Sequence, residues 1–322
     1  MRDMFRLLRD SYEITDQAIL TPLTGGVSSD IVLVEDQGEK WVAKRALEKL
    51  KVAENWCADT NRYITEYRYL QTVSKWVPTA VPKIRSVGEG YFTMEYLGSG
   101  YHNWKQLMLS ENNNEKWGAK AGEIMGAIHA NSWDNQEIKE LFETTQNFED
   151  LRIEPYLRFT GTKHPILQSQ FNQMADNIKN NRCVLIHGDF SPKNILVKND
   201  QMIILDCEVA WYGDPSFDAA FLINHLILKA IHQPNLAKQY IKTIELFWLV
   251  YENALGDNKT KSIQKQTARL LWFLMLARVD GKSPVEYLTE TEKNKIRTLV
   301  HQHLTPNFQP TFEQTFKILF NH

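Results

Sequence analysis

Three polar side chains between residues 184 and 221 have the types and the spacing that phosphoryl transfer needs. Asp189 follows an apolar, β-branched run, Asn194 lies five residues later, and Asp206 lies twelve residues beyond Asn194, at the end of a second apolar run. One carboxylate can receive or orient a hydroxyl, while an amide oxygen and a second carboxylate are the hard ligands that Mg²⁺ prefers. The spacing therefore predicts Asp189 as a catalytic base and Asn194 and Asp206 as metal ligands.

Composition and charge argue against several other classes of protein. The chain has 322 residues, of which 43% are hydrophobic and 24% charged, which is enough for two compact lobes. With 37 lysines and arginines against 39 acids the net charge is −2, so there is no overall positive field to hold nucleic acid. Polar residues interrupt the apolar segments before the roughly 20 residues that a membrane helix requires. We expect neither a nucleic acid partner nor a membrane segment.

The cysteines and the N-terminus indicate the compartment. Cys57, Cys183 and Cys207 lie far apart and form no Cys-x-x-Cys pair, which argues against a disulfide framework and against structural zinc. The N-terminal segment has the pattern of a short amphipathic helix and lacks the apolar core of a signal peptide. Both features fit a reducing, cytoplasmic location. The sequence does not indicate an oligomeric state.

The segment around the polar side chains resembles a known family. The sequences HGDFSPKNIL, which starts at His187, and LDCEVAWYGDPSFD, which starts at Leu205, are similar to the aminoglycoside phosphotransferase and choline kinase-like family. Members of that family transfer a phosphate from ATP to hydroxyl groups of small molecules. The resemblance covers most of the chain and implies ATP and Mg²⁺ as cofactors. It also implies an α+β, bilobal protein-kinase-like fold with a β-rich N-terminal lobe and a mainly helical C-terminal lobe.

Departures from protein kinases favour a small-molecule hydroxyl acceptor. His187-Gly188 stands where protein kinases have His-Arg, Asp206-Cys207-Glu208 stands where they have Asp-Phe-Gly, and no Ala-Pro-Glu follows. A protein kinase is therefore disfavoured. Two alternatives stay open: an aminoglycoside-modifying resistance kinase, and a catalytically silent regulator that binds ATP. The complete set of polar residues argues against the silent regulator.

The resemblance implies which N-terminal residues bind ATP. Lys44, at the end of a predicted strand, has the position of the family's lysine that contacts the α- and β-phosphates, and Glu66 is its natural ion-pair partner. The carbonyl of Glu95 and the amide of Leu97 would bond adenine. A glycine-rich segment before the strand resembles the family's shortened phosphate loop, although two adjacent glycines alone more often form a plain turn. Its predicted phosphate-binding residues are Gly25, Gly26, Ser28 and Ser29.

Hydrophobic periodicity predicts the elements that position these groups. Apolar and β-branched runs at 31–34 and 40–44 predict one hairpin, and those at 83–87 and 91–96 predict another. The segment 52–74 contains neither proline nor glycine and has helical spacing. We therefore expect a sheet with a helix packed on it.

After residue 100 the pattern changes to long helical periods. This change predicts an N-terminal ATP-clamping lobe at 1–97, including the hinge, and a C-terminal lobe at 98–322 with the catalytic loop, the metal site and the acceptor pocket. Two short β-branched runs, 183–186 and 202–205, lie between the helices, and we expect them to pair as a small hairpin. The predicted helices span 117–130, 166–180, 215–231, 236–253 and 261–279.

Some neighbours of the predicted site are assigned structural roles. A histidine that follows a buried strand is typically a hydrogen-bonded scaffold, so His187 is not assigned as the base. Asp218 complements the N-terminus of a helix, and the role of Asp214 is left open. Ser283, followed by proline, predicts a further helix start.

The C-terminal aromatic residues are predicted to pack in the core or to line the acceptor pocket, and the sequence does not decide between these. If they face the cleft, Glu208 or Asp280 would be the charge partner of a cationic or ring-bearing acceptor. The residues in question are Trp211, Tyr212, Trp248, Trp272 and Phe273.

The charge balance of the C-terminal part bears on the acceptor. Residues 207–322 contain eleven acidic residues against thirteen lysines and arginines. A pocket for a polycationic aminoglycoside needs a local acidic surplus. The balance therefore favours a neutral or singly charged metabolite.

Overall fold

An antiparallel sheet forms the N-terminal part of the protein. The computed structural model describes residues 2–23, 29–47 and 59–320. Strands β1 to β5 span Ile19–Pro22, Ser29–Asp36, Glu39–Ala46, Ile84–Gly88 and Tyr91–Glu95. They lie in the order β1-β2-β3-β5-β4, and each neighbouring pair is antiparallel.

Both predicted hairpins of this sheet are confirmed. β2 and β3 are joined by Gln37 and Gly38, whose φ angles are 51° and 82°. Positive φ at both central residues is typical of a type I′ turn, whose twist matches that of the flanking strands. β4 and β5 are joined by a second short turn, in which Gly90 has a φ of 83°.

Helices cover the two faces of the sheet. Successive side chains of a strand point to opposite faces. Ala43 of β3 therefore packs against α1, Arg2–Asp10, whereas Val42 belongs to the core that includes α2, Arg62–Val73. Lys44 has the same parity as Val42. The sheet thus directs Lys44 toward α2 and toward the interior of the molecule.

Some predicted features lie outside the described residues. The predicted helix at 52–74 is confirmed from Arg62 to Val73, whereas residues 48–58 are not described. Of the predicted phosphate loop, Gly25, Gly26 and Ser28 lie outside the described residues, and Ser29 opens β2.

The C-terminal part is mainly helical, as predicted. Within the described residues, no helix is long and apolar enough to cross a membrane. A π-helix spans Glu149–Arg158. Helices α3 to α13 span Trp104–Leu109, Lys116–Ser132, Gln136–Leu141, Thr145–Phe148, Phe159–Lys163, Gln168–Asn180, Pro215–His232, Ala237–Leu255, Asp257–Asp280, Glu290–His303 and Phe312–Phe320.

The short strands of this part pair differently from the prediction. The hairpin expected between 183–186 and 202–205 is wrong. Strand β7, Val184–Ile186, pairs with β10, Trp211–Gly213, and strand β8, Ile195–Lys198, pairs with β9, Gln201–Ile204. A tight turn at Asn199, with φ of 53°, closes the β8–β9 hairpin and leaves β7 to the later strand. Strands β6 to β10 span His102–Asn103, Val184–Ile186, Ile195–Lys198, Gln201–Ile204 and Trp211–Gly213.

The helix start predicted at Ser283 is also wrong. Arg278 Nη1 donates hydrogen bonds to the carbonyl of Ser283 and, at 2.9 Å, to its hydroxyl, so the Ser283 side chain does not cap a helix. The helix begins at Glu290 instead. Thr289 caps it in a capping box with Glu292.

Candidate active site

Lys44 lies at the centre of a buried group of charges. Its side chain is 4% exposed, and its Nζ lies 2.7 Å from Glu66 Oε2 and 2.6 Å from Asp206 Oδ1. Glu66 belongs to α2, whereas Asp206 follows β9 in the C-terminal part. The structure therefore brings together three predicted site residues from distant parts of the chain.

Pairing with Lys44 controls the charges of this group. Burial alone would lower the pKa of Lys44, but the charges of Asp206, Glu66 and Glu208 outweigh burial and raise it. Burial also opposes ionisation of Asp206, yet Lys44 holds the pKa of that carboxyl well below its usual range. Burial raises the pKa of Glu66 to about 7 against the opposing charge of Lys44. Lys44 and Asp206 therefore form a charged pair at neutral pH.

A glycine and a buried carboxylate shape the loop that carries Asp189. Gly188 has a φ of 76°, and a Cβ at this position would lie 2.5 Å from the carbonyl oxygen of Val209, so conformation and space both require glycine. Asp218 of α9 accepts hydrogen bonds from the amides of His187 at 2.6 Å and Gly188 at 2.9 Å. Asp218 is therefore structural, as predicted, but it holds the loop of Asp189 rather than the N-terminus of its own helix.

Both ring nitrogens of His187 are used within this loop. Nδ1 accepts from the amide of Asp189 at 3.1 Å, and Nε2 donates to the carbonyl of Leu205 at 3.1 Å. Burial lowers the pKa of His187 despite nearby carboxylates, which favours the neutral ring. The predicted scaffold role is confirmed. The open question about Asp214 is also answered, since it caps α9 by accepting from the amide of Ser216 at 2.8 Å.

The β8–β9 hairpin brings the two predicted metal ligands side by side. The carbonyl of Asn194 accepts from the amide of Leu205 at 2.8 Å, and Asp206 is the next residue. The Nδ2 of Asn194 donates to the carbonyl of Asp189 at 3.1 Å. Because the amide nitrogen is used in this way, the amide oxygen of Asn194 is the atom suited to a metal ion.

Glu208 belongs to this site, although the sequence suggested it as a partner for a cationic acceptor. Its Oε2 accepts from Arg62 Nε at 3.0 Å and lies 3.4 Å from the hydroxyl of Ser29. Carboxylate oxygens of Glu66, Asp206 and Glu208, here called the carboxylate cluster, lie within 4.8 Å of one another. Hard oxygen donors at this spacing fit Mg²⁺. The sequence signal that could have placed Glu208 in this site is its position two residues after Asp206.

Arg152 contacts the predicted base and was missed by the sequence analysis. It lies on the π-helix, a rare element that is frequent at functional sites, and is 7% exposed. Its Nη2 lies 3.1 Å from Asp189 Oδ2, and its Nε donates to the carbonyl of Gly188. The guanidinium thus fixes both the carboxylate and the backbone of the loop. The only signal in the sequence was a cation flanked on both sides by apolar residues.

The predicted adenine-binding segment lies at the end of the sheet. Glu95 is the last residue of β5, and its Oε1 accepts from the amide of Lys83 at 2.9 Å. Leu97 follows two residues later. The contacts of Glu95 and Leu97 with adenine stay predictions.

The residues that the sequence left between core and pocket are structural. Trp211, Tyr212 and Trp272 are at most 1% exposed. Asp280 pairs with Arg297 at 2.7 Å and with His164 at 3.0 Å. Glu208 is paired with Arg62 and belongs to the carboxylate cluster, so the structure places it with Glu66 and Asp206 rather than with an acceptor.

The chain belongs to the phosphotransferase enzyme family. The model of that family, described as "Phosphotransferase enzyme family", matches residues 19–247, which is more than half of the chain. The match includes Lys44, Glu66, the Asp189 loop and the carboxylate cluster. The family resemblance inferred from the sequence is confirmed.

Among curated proteins the chain is similar to methylthioribose kinases. The protein from Geobacillus thermodenitrificans (strain NG80-2) is 24% identical in an alignment of 262 positions that covers 70% of this chain and 65% of that protein. The methylthioribose kinase of Geobacillus kaustophilus (strain HTA426) has the same identity and coverage. The chain therefore spans just under two thirds of the length of these relatives.

Solved structures with this fold include further small-molecule kinases. An ethanolamine kinase from Plasmodium vivax has a TM-score of 0.57 at 14% identity, covering 91% of this chain and 83% of that one. Amicoumacin kinase hAmiN, in complex with AMP-PNP, Ca²⁺ and Ami, has a TM-score of 0.56 at 13% identity, covering 94% and 95%. At these identities the likeness concerns the fold, and it confirms the predicted α+β, protein-kinase-like architecture.

Proposed function

We propose that this protein transfers the γ-phosphate of ATP to a hydroxyl group of a small molecule. The observation that carries the proposal is the meeting of Lys44, Glu66 and Asp206 beside the loop of Asp189 and Asn194. Membership of the phosphotransferase family supports it. So do the relatives, which are named as kinases of methylthioribose, ethanolamine and amicoumacin.

On this proposal the carboxylate cluster and its neighbours handle the phosphates. Asn194, Asp206 and Glu208 would hold Mg²⁺, and Glu66 orients Lys44 so that the ammonium faces the phosphate groups. When bound, Mg²⁺ supplies positive charge against the charge that develops on the phosphate oxygens. Lys44 adds a fixed cation to the same region, so this end of the site acts mainly by electrostatic stabilisation.

At the other end of the site Asp189 orients the acceptor hydroxyl and accepts its proton. Arg152 holds the Asp189 carboxylate in place, because its Nη2 lies 3.1 Å from Asp189 Oδ2 and its Nε donates to the carbonyl of Gly188. With both groups fixed by the fold, catalysis consists chiefly of positioning.

In the proposed reaction the N-terminal lobe, residues 1–97, binds ATP. Glu95 and Leu97 bond adenine, and the segment from Gly25 to Ser29 contacts the phosphates. The acceptor is assigned to residues 98–322. We place the reaction in the cytoplasm, where ATP is available.

The proposal is tested by Mg²⁺-dependent ADP release across a panel of amino alcohols, sugars, sugar acids, nucleosides and aminoglycosides. Asp189→Asn should lower kcat by about 10²- to 10⁴-fold because it removes the base. ATP affinity should stay close to that of the wild type. The matched control is Asp176→Asn, which makes the same chemical change at a side chain that is 59% exposed, on α8.

Two results would contradict the proposal. One is full activity in Asp189→Asn. The other is tight ATP binding without turnover on any member of the panel, which would favour the silent ATP-binding regulator.

A further inference from the structure

A buried lysine lies on the face of α9 that leads away from the catalytic loop. Asp218, Phe221, His225 and Lys229 follow one another at spacings of three and four residues, so they share one face of the helix. Lys229 is 1% exposed. In the described part of the chain, its Nζ donates to the carbonyl of His225 at 3.4 Å and lies 5.2 Å from the ring of Tyr287, but it forms no ion pair.

Two arginines contact the same aromatic ring, that of Tyr156 on the π-helix. The guanidinium carbons of Arg152 and Arg278 lie 5.7 Å and 5.6 Å from the ring centre of Tyr156. Arg152 also lies 5.9 Å from the ring of Phe221, whose ring centre is 5.3 Å from that of His225. Shared aromatic neighbours therefore connect α9, α11 and the π-helix.

Close backbone packing fixes this arrangement. A Cβ on Gly281 would lie 3.1 Å from the carbonyl oxygen of Pro155 and 2.4 Å from that of Ala277. The amide of Lys282 donates to the same carbonyl of Pro155 at 3.3 Å. The end of α11 is thus held against the π-helix, which keeps Arg278 next to the ring of Tyr156.

These cations are not balanced by carboxylates. Arg152 is paired with Asp189, but Arg278 bonds the neutral hydroxyls of Tyr156 at 3.1 Å and Ser283 at 2.9 Å, and Lys229 bonds a carbonyl. The nearby acid Glu286 is paired with Lys105. Burying a charge without a partner is costly. Arg152, Lys229 and Arg278, here called the cation cluster, therefore bring three basic side chains to this region, and among the described residues only Arg152 of the three is paired with a carboxylate.

Burial and repulsion between cations lower the pKa values of two basic side chains in this region, Lys229 and His225. Burial, together with the charges of Lys105 and Arg278, lowers the pKa of Lys229 to about 7, against the opposing charge of Glu286. Burial and the same cations lower the pKa of His225 well below its usual value. An anion bound here would stabilise the charged forms of Lys229 and His225 against both burial and repulsion.

We propose that the acceptor is a hydroxylated compound with an anionic group, a carboxylate or a phosphate, which binds between Lys229 and Arg278 while its hydroxyl faces Asp189. This inference rests on the proposed function and names the substrate class of the same site. It narrows the neutral or singly charged metabolite favoured by the overall charge balance to an anionic one, because basic residues predominate within the cluster.

The first test measures anion binding directly. The Tm of the wild type should rise in malonate or in inorganic phosphate relative to chloride at equal ionic strength, and the stronger of the two identifies the carboxylate or the phosphate class. In Lys229→Met and Arg278→Met the anion should bind at least about thirtyfold more weakly. Lys242→Met, on the exposed face of α10, is the matched control and should bind like the wild type. Equal stabilisation of the wild type and both cluster variants would overturn the inference.

The second test measures turnover with matched pairs of acceptors. Glycerate against glycerol, gluconate against glucose, and glycerol 3-phosphate are compared by ADP release. The acidic members should be preferred, and Lys229→Met should raise their KM at least about thirtyfold with a smaller effect on kcat. Phosphorylation of a neutral or cationic acceptor with an unchanged KM in Lys229→Met would overturn the inference and leave the proposed function standing. Cluster-dependent anion binding without turnover would contradict the proposed function and leave the anion site standing.

Discussion

At the end of the site next to the sheet, three carboxylates lie within 4.8 Å of one another and one lysine bonds two of them. In the cation cluster, beside α9, Arg152 is paired with the carboxylate of Asp189, whereas Lys229 and Arg278 bond neutral groups in the described part of the chain. Neither group of charges is visible in the net charge of −2. The fold thus places acidic side chains in one part of the site and basic side chains in another. The carboxylate cluster suits a divalent cation bound to phosphates, and the cation cluster suits an anionic group of the acceptor.

Removing one carboxylate from the carboxylate cluster should have the largest effect. Asp206→Asn keeps the size of the side chain but removes the charge that pairs with Lys44 and would hold Mg²⁺. We expect kcat to fall by about 10³-fold and the Mg²⁺ requirement to rise. ADP release across a series of Mg²⁺ concentrations measures both. Asp200→Asn, in the exposed β8–β9 turn, should behave like the wild type, and an equal loss in both variants would argue against a specific role for Asp206.

Breaking the buried ion pair between Arg62 of α2 and Glu208 should lower the free energy of unfolding. Arg62→Met leaves Glu208 buried without its cation, so the free energy of unfolding should fall by about 3–5 kcal/mol. Urea denaturation measures this change. Lys242→Met breaks an exposed pair with Glu245 and should cost less than about 1 kcal/mol. Comparable losses in the two variants would mean that the Arg62 pair is not worth more than a surface contact.

Removing the lysine of the cation cluster should stabilise the protein without ligand. The pKa of Lys229 is lowered to about 7 from an ordinary value of 10.5, so between these pH values the unfolded chain binds more protons than the folded one. The free energy of unfolding should therefore rise with pH in this window, by up to about 1.4 kcal/mol per unit of pKa difference.

Lys229→Met isolates this contribution. Its unfolding free energy should exceed that of the wild type at pH 7, and the difference should shrink toward pH 10. Denaturation curves at several pH values, with Lys242→Met as control, measure it. A difference that does not change with pH would show that Lys229 has an ordinary pKa.

The smallest effect is expected at Asp280, which sits near the cation cluster but is paired elsewhere. Asp280→Asn weakens contacts with Arg297 and His164, so we expect a loss of about 1 kcal/mol in unfolding free energy and an unchanged KM for the acceptor. Urea denaturation and acceptor titration check the two parts. A tenfold change in KM would mean that Asp280 touches the acceptor.

The sequence predicted the parts of the site that depend on local spacing. Asp189 and Asn194 are five residues apart on one loop, and Asp206 follows the next hairpin, so a short stretch of chain contains their whole arrangement. Lys44 and Glu66 were found through a family resemblance. The β2–β3 hairpin was predictable because alternation and turn residues agree.

The cation cluster could not be predicted because its members come from three elements. Arg152, Lys229 and Arg278 lie on the π-helix, α9 and α11, and nothing in their spacing indicates that they meet. Strand pairing failed for a similar reason, since β7 had two possible β-branched partners and only tertiary packing selects β10. The helix start at Ser283 failed because the Ser283 hydroxyl accepts a hydrogen bond from Arg278 of α11 instead of capping a helix. The next helix begins only after Thr289.

The reaction is tested most directly by Mg²⁺-dependent ADP release by the wild type and Asp189→Asn with matched acidic and neutral acceptors. An acidic hydroxyl compound should stimulate the wild type, and Asp189→Asn should lower this stimulated rate by about 10²-fold or more. Equal ADP release by the two proteins, or stimulation by neutral acceptors alone, would contradict this expectation.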